Sequence, residues 1–106
     1  TVGIIPQGDF KLANKYCDIV IATGLGLARD FVVATSADGV IVVGGGVGTL
    51  IELCVAYELN KTIIAVSNSG GTATRYAGSY MDERKTVLIG SAVDASTAVN
   101  MIFKNL

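Results

Sequence analysis

The stretch Gly39–Glu52, GVIVVGGGVGTLIE, decides the fold, because a β-branched run passes into a glycine-rich turn and then into an apolar helix. The run is continuous instead of alternating, which is typical of a strand buried on both faces of a parallel sheet. Residues without Cβ let backbone N–H groups close on an anion, and the positive end of the following helix points at the same place. The stretch therefore predicts a phosphate-binding turn formed by Gly44, Gly45, Gly46, Gly48 and Thr49.

Two better-known nucleotide motifs do not fit this turn. No G-x-x-x-x-G-K-[ST] sequence is present, and the G-x-G-x-x-G register that starts at Gly44 fails at Thr49. A simpler interpretation stays open beside the anion site. Thr49-x-x-Glu52 has the spacing of a capping box, and in this interpretation the glycines only form a tight turn into a helix that Thr49 caps.

Further short apolar runs on either side of this stretch predict strands at Val2–Ile5, Asp18–Ala22, Gly39–Val43, Thr62–Val66 and Thr86–Ile89. The connections that flank the third strand are long enough for parallel crossovers. Helices are predicted at Leu27–Asp38, Thr49–Leu59 and Asp94–Leu106, the last with Asp94 as its N-cap. The pattern indicates one α/β domain over residues 1–106, with a parallel sheet covered by helices on both faces.

The composition of the 106 residues excludes several functions. A net charge of -1 disfavours nucleic acid and anionic membranes as partners, and the absence of His excludes His-based zinc sites and Ser-His-Asp catalysis. No apolar run is long enough to span a membrane, and no signal segment opens the chain. Cys17 and Cys54 lie in apolar stretches, where we expect buried, reduced thiols in a cytoplasmic protein.

The helix predicted at Thr49–Leu59 is apolar almost all round, with Glu52 and Glu58 as its only charges. A helix without a solvated stripe is buried on both sides. One side can face the sheet, and a partner subunit is the natural cover for the other. The sequence therefore predicts a homo-oligomer, a dimer or higher.

The glycine-rich turn also resembles a known family. Gly44–Glu52 is similar to the P-G-G-x-G-T-x-x-E motif of the LOG (LONELY GUY) type phosphoribohydrolases, a Rossmann-like family also labelled as lysine decarboxylases, with Gly44 in place of the Pro. The upstream segment ATGLGLARDFVVATSADGVIVVGGG resembles a bacterial and archaeal branch that includes molybdenum-cofactor carrier proteins, with Asp30 in place of an Asn.

The resemblance implies a Rossmann-like sheet and a nucleoside 5′-monophosphate whose phosphate lies on the glycine-rich turn. It matches Arg29 and Glu52 to the family's catalytic Arg and Glu, which hydrolyse the N-glycosidic bond without a metal or other cofactor. A carrier that holds a molybdopterin-type ligand or a nucleotide without turnover is the alternative, and a structural oligomerising module with a degenerate site is another. The resemblance also implies that the family's N-terminal β-α-β-α segment is missing here. It therefore predicts that the chain is either a fragment or a natural short form.

Two further segments provide candidates to line the ligand. The T-G-L-G segment belongs to the resembling stretch, and the loop Ser67–Ser79 follows the end of a strand, where open α/β sheets bind ligands. The candidates are Thr23, Gly24, Gly26, Ser67, Asn68, Gly70, Gly71 and Thr72. Arg75 would add positive charge, although a mobile surface loop is the alternative for this segment.

Overall fold

A computed structural model describes all residues, 1–106, of the chain. It contains five strands and four helices in the order β1 (Val2–Ile5), β2 (Ile19–Ala22), α1 (Arg29–Ser36), β3 (Gly39–Val42), α2 (Val47–Glu58), β4 (Thr62–Val66), α3 (Gly71–Tyr76), β5 (Gly90–Ala92) and α4 (Ala95–Asn105).

The strands form two parallel groups. Strand β1 pairs with β2, and β3, β4 and β5 pair in that order with β4 in the centre. The predicted α/β, Rossmann-like class is confirmed, because every pairing is parallel and helices connect or follow the strands of the larger sheet. Strands β1 and β3 each pair along one edge only, so their other edges have no strand partner.

The core lies on both faces of the three-stranded sheet because successive side chains of β4 point in opposite directions. Ile63 and Ala65 belong to a buried cluster with Leu53 and Tyr57 of α2. Ile64 and Val66 belong to a second cluster whose other members include Ala98 and Ile102 of α4. Helices therefore cover both faces of this sheet, as the continuous apolar runs predicted.

Helix α4 begins where the sequence placed it. The carboxylate of its N-cap, Asp94, accepts a hydrogen bond of 2.7 Å from the backbone N–H of Thr97. This bond satisfies one of the helix's otherwise free donors. The prediction of a closing helix capped by Asp94 is confirmed.

Two predictions of local structure are wrong. Residues 86–89 form no strand, because the backbone of Ile89 bonds to Gly78 and Ser79 instead of to β4. The pairing with β4 starts at Gly90, opposite Ile64. The segment Ser67–Ser79 is not only a loop, since α3 lies within it.

The cysteines are both free, but their burial differs from the expectation. Cys17 is half-buried and Cys54 is exposed. Cys54 lies on the face of α2 opposite the sheet, so the prediction that it is buried within one chain is wrong. None of the helices has both the length and the apolar character that a membrane crossing requires.

Candidate functional site

The glycine-rich turn connects β3 to α2 through backbone conformations that favour glycine. Gly45 has a φ of +93°, and a Cβ there would collide with the side chain of Thr49. Helix α2 begins at Val47 with Gly46 as its N-cap, and no side chain caps it. The alternative in which Thr49 caps the helix is therefore wrong, because the helix begins two residues before Thr49. Glu52 is left free of a capping role.

Helix α3 fastens this turn through the turn's carbonyl groups. The N–H groups of Thr72 and Ala73 donate to the carbonyl oxygens of Gly45 and Gly44, each at 2.9 Å. The Thr72 hydroxyl donates to the Gly46 carbonyl at 3.0 Å. A Cβ at Gly71 would collide with the Gly45 carbonyl oxygen, so only glycine lets α3 approach this closely. The carbonyl groups of Gly44, Gly45 and Gly46 thus each accept a hydrogen bond from α3.

The N–H of Gly44 donates to the Ser69 hydroxyl at 2.8 Å, so it is not a free donor. The N–H groups that follow it in the turn have no such partners. The backbone N–H groups of the five consecutive residues 45–49 donate to no acceptor in the protein. Three of them open α2, where the first N–H groups of any helix lack an intrahelical acceptor. Together with the positive end of the α2 dipole, they form a site with the chemistry of an anion cradle.

An open cavity of about 360 Å³ adjoins this cradle. It is lined by Gly45, Gly46, Val47, Leu50, Gly71, Thr72, Arg75 and Tyr76. Arg75 makes no ion pair or hydrogen bond within the protein, and its guanidinium lies 5.5 Å from the centre of the Tyr76 ring. The cavity therefore combines free N–H donors with one uncompensated positive charge.

A cluster of ionisable side chains lies beside the first turn of α2. Arg29 Nη1 donates to the carbonyl of Ile4 in β1 at 2.8 Å, and Arg29 Nε lies 3.2 Å from Asp30 Oδ1. Asp30 is buried, and its Oδ2 is 3.3 Å from where a Cβ on Gly48 would be. Glu52 lies one helical turn beyond Gly48 on the same face of α2. Arg29 and Glu52 are thus gathered around the same helix turn as Asp30.

The pKa of Glu52 is raised above that of an ordinary glutamate, first by burial of its carboxyl group and then by the negative charge of Asp30. Arg29 opposes this shift. Glu52 also lines a separate groove of about 230 Å³ against α1 and β3. Gly48 connects the two regions, because its N–H belongs to the cradle and its Cα faces Asp30.

Some predicted lining residues lie elsewhere. The N–H groups of Thr23, Gly24 and Gly26 donate to carbonyls of residues 5–7 and hold the connection after β2 to the end of β1. The Ser67 hydroxyl donates to the Ala92 carbonyl. Neither these residues nor Asn68 line the cavity at the cradle, whereas Gly71 and Thr72 do.

The sequence does not reveal the positions of two residues. It predicts a loop at Arg75, because the short α3 has no periodicity that would indicate a helix. It gives no sign that Asp30 is buried, although its side chain and backbone together are only 5% exposed. A charged residue so deeply buried is rare without a partner, but burial of one side of a short helix cannot be read from eight residues with several β-branched positions.

A parallel α/β sheet in which a glycine-rich turn leads from a strand into a helix is of the Rossmann-like class. The sequence identifies the family within this class. The chain matches the model of the SLOG cluster4 family over residues 1–100, and it belongs to that family.

Similar proteins include one from Archaeoglobus fulgidus without an assigned function, which is 38% identical over 65 residues, or 61% of this chain and 42% of that protein. The X-ray structure of TM1055, a structural genomics target, has a TM-score of 0.87 and 35% identity, and the match covers 97% of this chain and 63% of that one. The structure of the molybdenum cofactor binding protein from Rippkaea orientalis has a TM-score of 0.73 and 25% identity, with 97% and 60% covered. The chain thus spans less than two thirds of the length of each relative.

Proposed function

We propose that this chain binds a phosphorylated nucleoside or a related phosphorylated cofactor, with the phosphate on the N–H groups of residues 45–49. The observation that carries the proposal is the set of five consecutive N–H groups without an acceptor. None of these residues is buried, so the donors can bond to water in the free chain. Because they converge at the positive end of α2, an anionic group that accepts from them is the ligand that the turn suits best.

Arg75 supplies positive charge to the same cavity. A guanidinium that pairs with no carboxylate of the protein is available for a phosphate, which it can bind through two parallel hydrogen bonds. Its neighbour Tyr76 lines the same cavity, where its ring can contact a base or other flat group. These two side chains favour a ligand that carries both a phosphate and an aromatic ring.

We further propose that Arg29 and Glu52 act on this ligand by hydrolysing the N-glycosidic bond of a nucleoside 5′-monophosphate. Such cleavage passes through an oxocarbenium-like state that a carboxylate stabilises while it orients water. Glu52 is one turn from Gly48, whose N–H belongs to the cradle, so this reaction requires a ligand that reaches from the cradle to the groove that Glu52 lines. Arg29, anchored to Ile4, would hold the sugar and balance the carboxylate's charge.

The second candidate is a carrier that binds a molybdopterin-type cofactor or a nucleotide without turnover. It is favoured by the likeness to the Rippkaea orientalis protein, whose name describes molybdenum cofactor binding. In this case the cradle holds the ligand's phosphate in the same way, and no product forms. A structural module with a degenerate site is the third candidate, and it predicts no binding at all.

We also propose that the chain forms a homo-oligomer through the outer face of α2. An open apolar groove of about 650 Å³ runs along this face between α2 and α1. It includes Phe31, Val47 and Leu59, which are 54%, 75% and 49% exposed in the single chain. Phe31→Asp should give a monomer by light scattering if a second copy covers this face, and an unchanged mass would contradict the proposal.

The test is a thermal-shift screen with AMP, other nucleoside monophosphates, ribose 5-phosphate and molybdopterin, with released sugar phosphate assayed in the same samples. A ligand at 100 times its Kd stabilises the protein by about 2.7 kcal/mol. Gly46→Val is the matched variant, because nothing lies within 4 Å of a Cβ at Gly46 and its φ of -109° is not left-handed. It should fold and fill the cavity. Stabilisation of the wild type alone supports the site, and equal stabilisation of both proteins contradicts it.

Release of sugar phosphate separates the first two candidates. Glu52→Gln keeps the size of the side chain and removes its negative charge. If the chain is a phosphoribohydrolase, this variant still shows the thermal shift with AMP and loses release of ribose 5-phosphate. A wild type that is stabilised but releases nothing is a carrier.

A further inference from the structure

We propose that Asp30 is a positioning residue that sets the protonation of Glu52 in the candidate site. The inference rests on the proposed function, because it concerns the side chain to which that function assigns the chemistry. Asp30 does not contact the ligand, and its effect on the ligand comes from its effect on the Glu52 carboxyl group.

The geometry places the Asp30 carboxylate against the α2 face that carries Glu52. The Asp30 side chain is 6% exposed, and its Oδ2 faces the Cα of Gly48. Residues four positions apart on a helix lie above one another on the same face, so Glu52 is the next side chain along that face from Gly48. The ion-pair partner of Asp30 is Arg29, whose Nε lies 3.2 Å from Asp30 Oδ1.

The charges around Glu52 do not balance. The groove that Glu52 lines is otherwise formed by Val33, Ala34, Ala37, Gly39, Val40 and Ile41, none of which is charged. The ionisable groups that act on it are Asp30 and Arg29, both from α1. Arg29 is held by the Ile4 carbonyl and lies next to Asp30, and its Nε is buried without a hydrogen bond. Two carboxylates therefore share one cation.

The Asp30 charge favours the protonated form of Glu52. Like charges in a shared site raise the affinity of one member for a proton, and burial acts in the same direction. The pKa of Glu52 is raised, by burial first and by Asp30 second. Asp30 thereby makes the Glu52 carboxylate a stronger proton acceptor, which suits a residue that orients water.

The test is a carbon-detected NMR titration of the side-chain carboxyl groups in the ligand-free protein. The chain has three Glu residues, and the Glu52 signal is identified by its loss in Glu52→Gln. In the wild type, the Glu52 midpoint should lie above the ordinary glutamate value of about 4.3. Asp30→Asn and Asp30→Ser, made in parallel in case one does not fold, should both lower it.

Two controls separate the charge of Asp30 from a general disturbance. Arg29→Gln removes the opposing charge and should move the Glu52 midpoint upward, in the opposite direction. Asp38→Asn removes an exposed carboxylate that does not act on Glu52 and should leave the midpoint unchanged. A wild-type midpoint at or below the ordinary value, or a midpoint unaffected by the Asp30 variants, overturns the proposal. Because no ligand is present, neither result depends on the binding activity.

Discussion

The carbonyl oxygen of Gly45 accepts a hydrogen bond of 2.9 Å from the backbone N–H of Thr72. This contact joins the glycine-rich turn to the start of α3 and turns the carbonyl side of the loop away from solvent. The N–H side is left without partners, and Arg75 of α3 is brought to the same cavity. This backbone hydrogen bond thus holds the glycine-rich turn next to α3, the helix that carries Arg75.

Removing the charge of Arg75 should weaken phosphate binding without affecting the fold. Arg75 is exposed and unpaired, so Arg75→Gln loses only a charge-assisted hydrogen bond to the ligand. We expect affinity for AMP to fall about tenfold by calorimetry, consistent with the usual strength of such bonds. Lys104→Gln, which removes an exposed charge in the last turn of α4, is the control and should bind like the wild type.

Neutralising Glu52 should stabilise the protein at pH values above the pKa of its carboxyl group. Because the folded-state pKa of Glu52 is raised, the native state holds this proton more tightly than the unfolded chain does. Its contribution to stability is therefore full at low pH and is lost as pH rises through the folded pKa. Glu52→Gln should raise Tm near pH 7 by at most about 4 °C and have no effect near pH 3. A Tm below that of the wild type at pH 7 would show that the ionised carboxylate is stabilising.

Leu53 is the residue of α2 whose loss should cost most. It is completely buried in the cluster between α2 and the sheet. Leu53→Ala should destabilise the protein by about 3 kcal/mol in urea denaturation, since a large-to-small change in a packed core leaves a cavity. Val99→Ala, at a half-exposed position of α4 outside the proposed interface, should cost much less. Equal costs would mean that the inner face of α2 is not packed as described.

The cap of α4 should show a pH dependence of the opposite sign. The Thr97 N–H holds the pKa of Asp94 below its usual value, so the stability that it contributes is present at neutral pH and lost as pH falls through the folded pKa. Asp94→Ala should lower Tm at pH 7. Asp94→Asn retains a capping oxygen, so it should keep most of the stability and lose the pH dependence. A wild-type pH profile identical to that of Asp94→Asn would contradict this role.

The strands that carry continuous β-branched runs were predictable from the sequence, because burial on both faces of a parallel sheet leaves a strong local signal. The glycine-rich turn was equally clear. Strand β5, GSA, has no such signal, and it pairs with β4 only because the core places it there. Helix α3 is short and polar, and its start is fixed by hydrogen bonds to Gly44 and Gly45, far away in the sequence.

The candidate site also combines features that the local sequence predicts with features that depend on packing. The glycines and Glu52 were predictable, since a turn and the helix that follows it are local features. The burial of Asp30 and the position of Arg75 depend on how α1 and α3 pack around α2, which no local pattern encodes. The positions of these two side chains therefore become evident only from the folded structure.

An amide NMR titration of the labelled protein with AMP and ribose 5-phosphate tests most directly whether the free N–H groups of residues 45–49 bind a phosphate. We predict saturable shifts of the Gly45, Gly46, Val47, Gly48 and Thr49 signals, which the Gly46→Val variant abolishes. If none of these five signals moves with either ligand, or if the shifts lie only elsewhere in the chain, the turn is not a phosphate site and the proposed function is wrong.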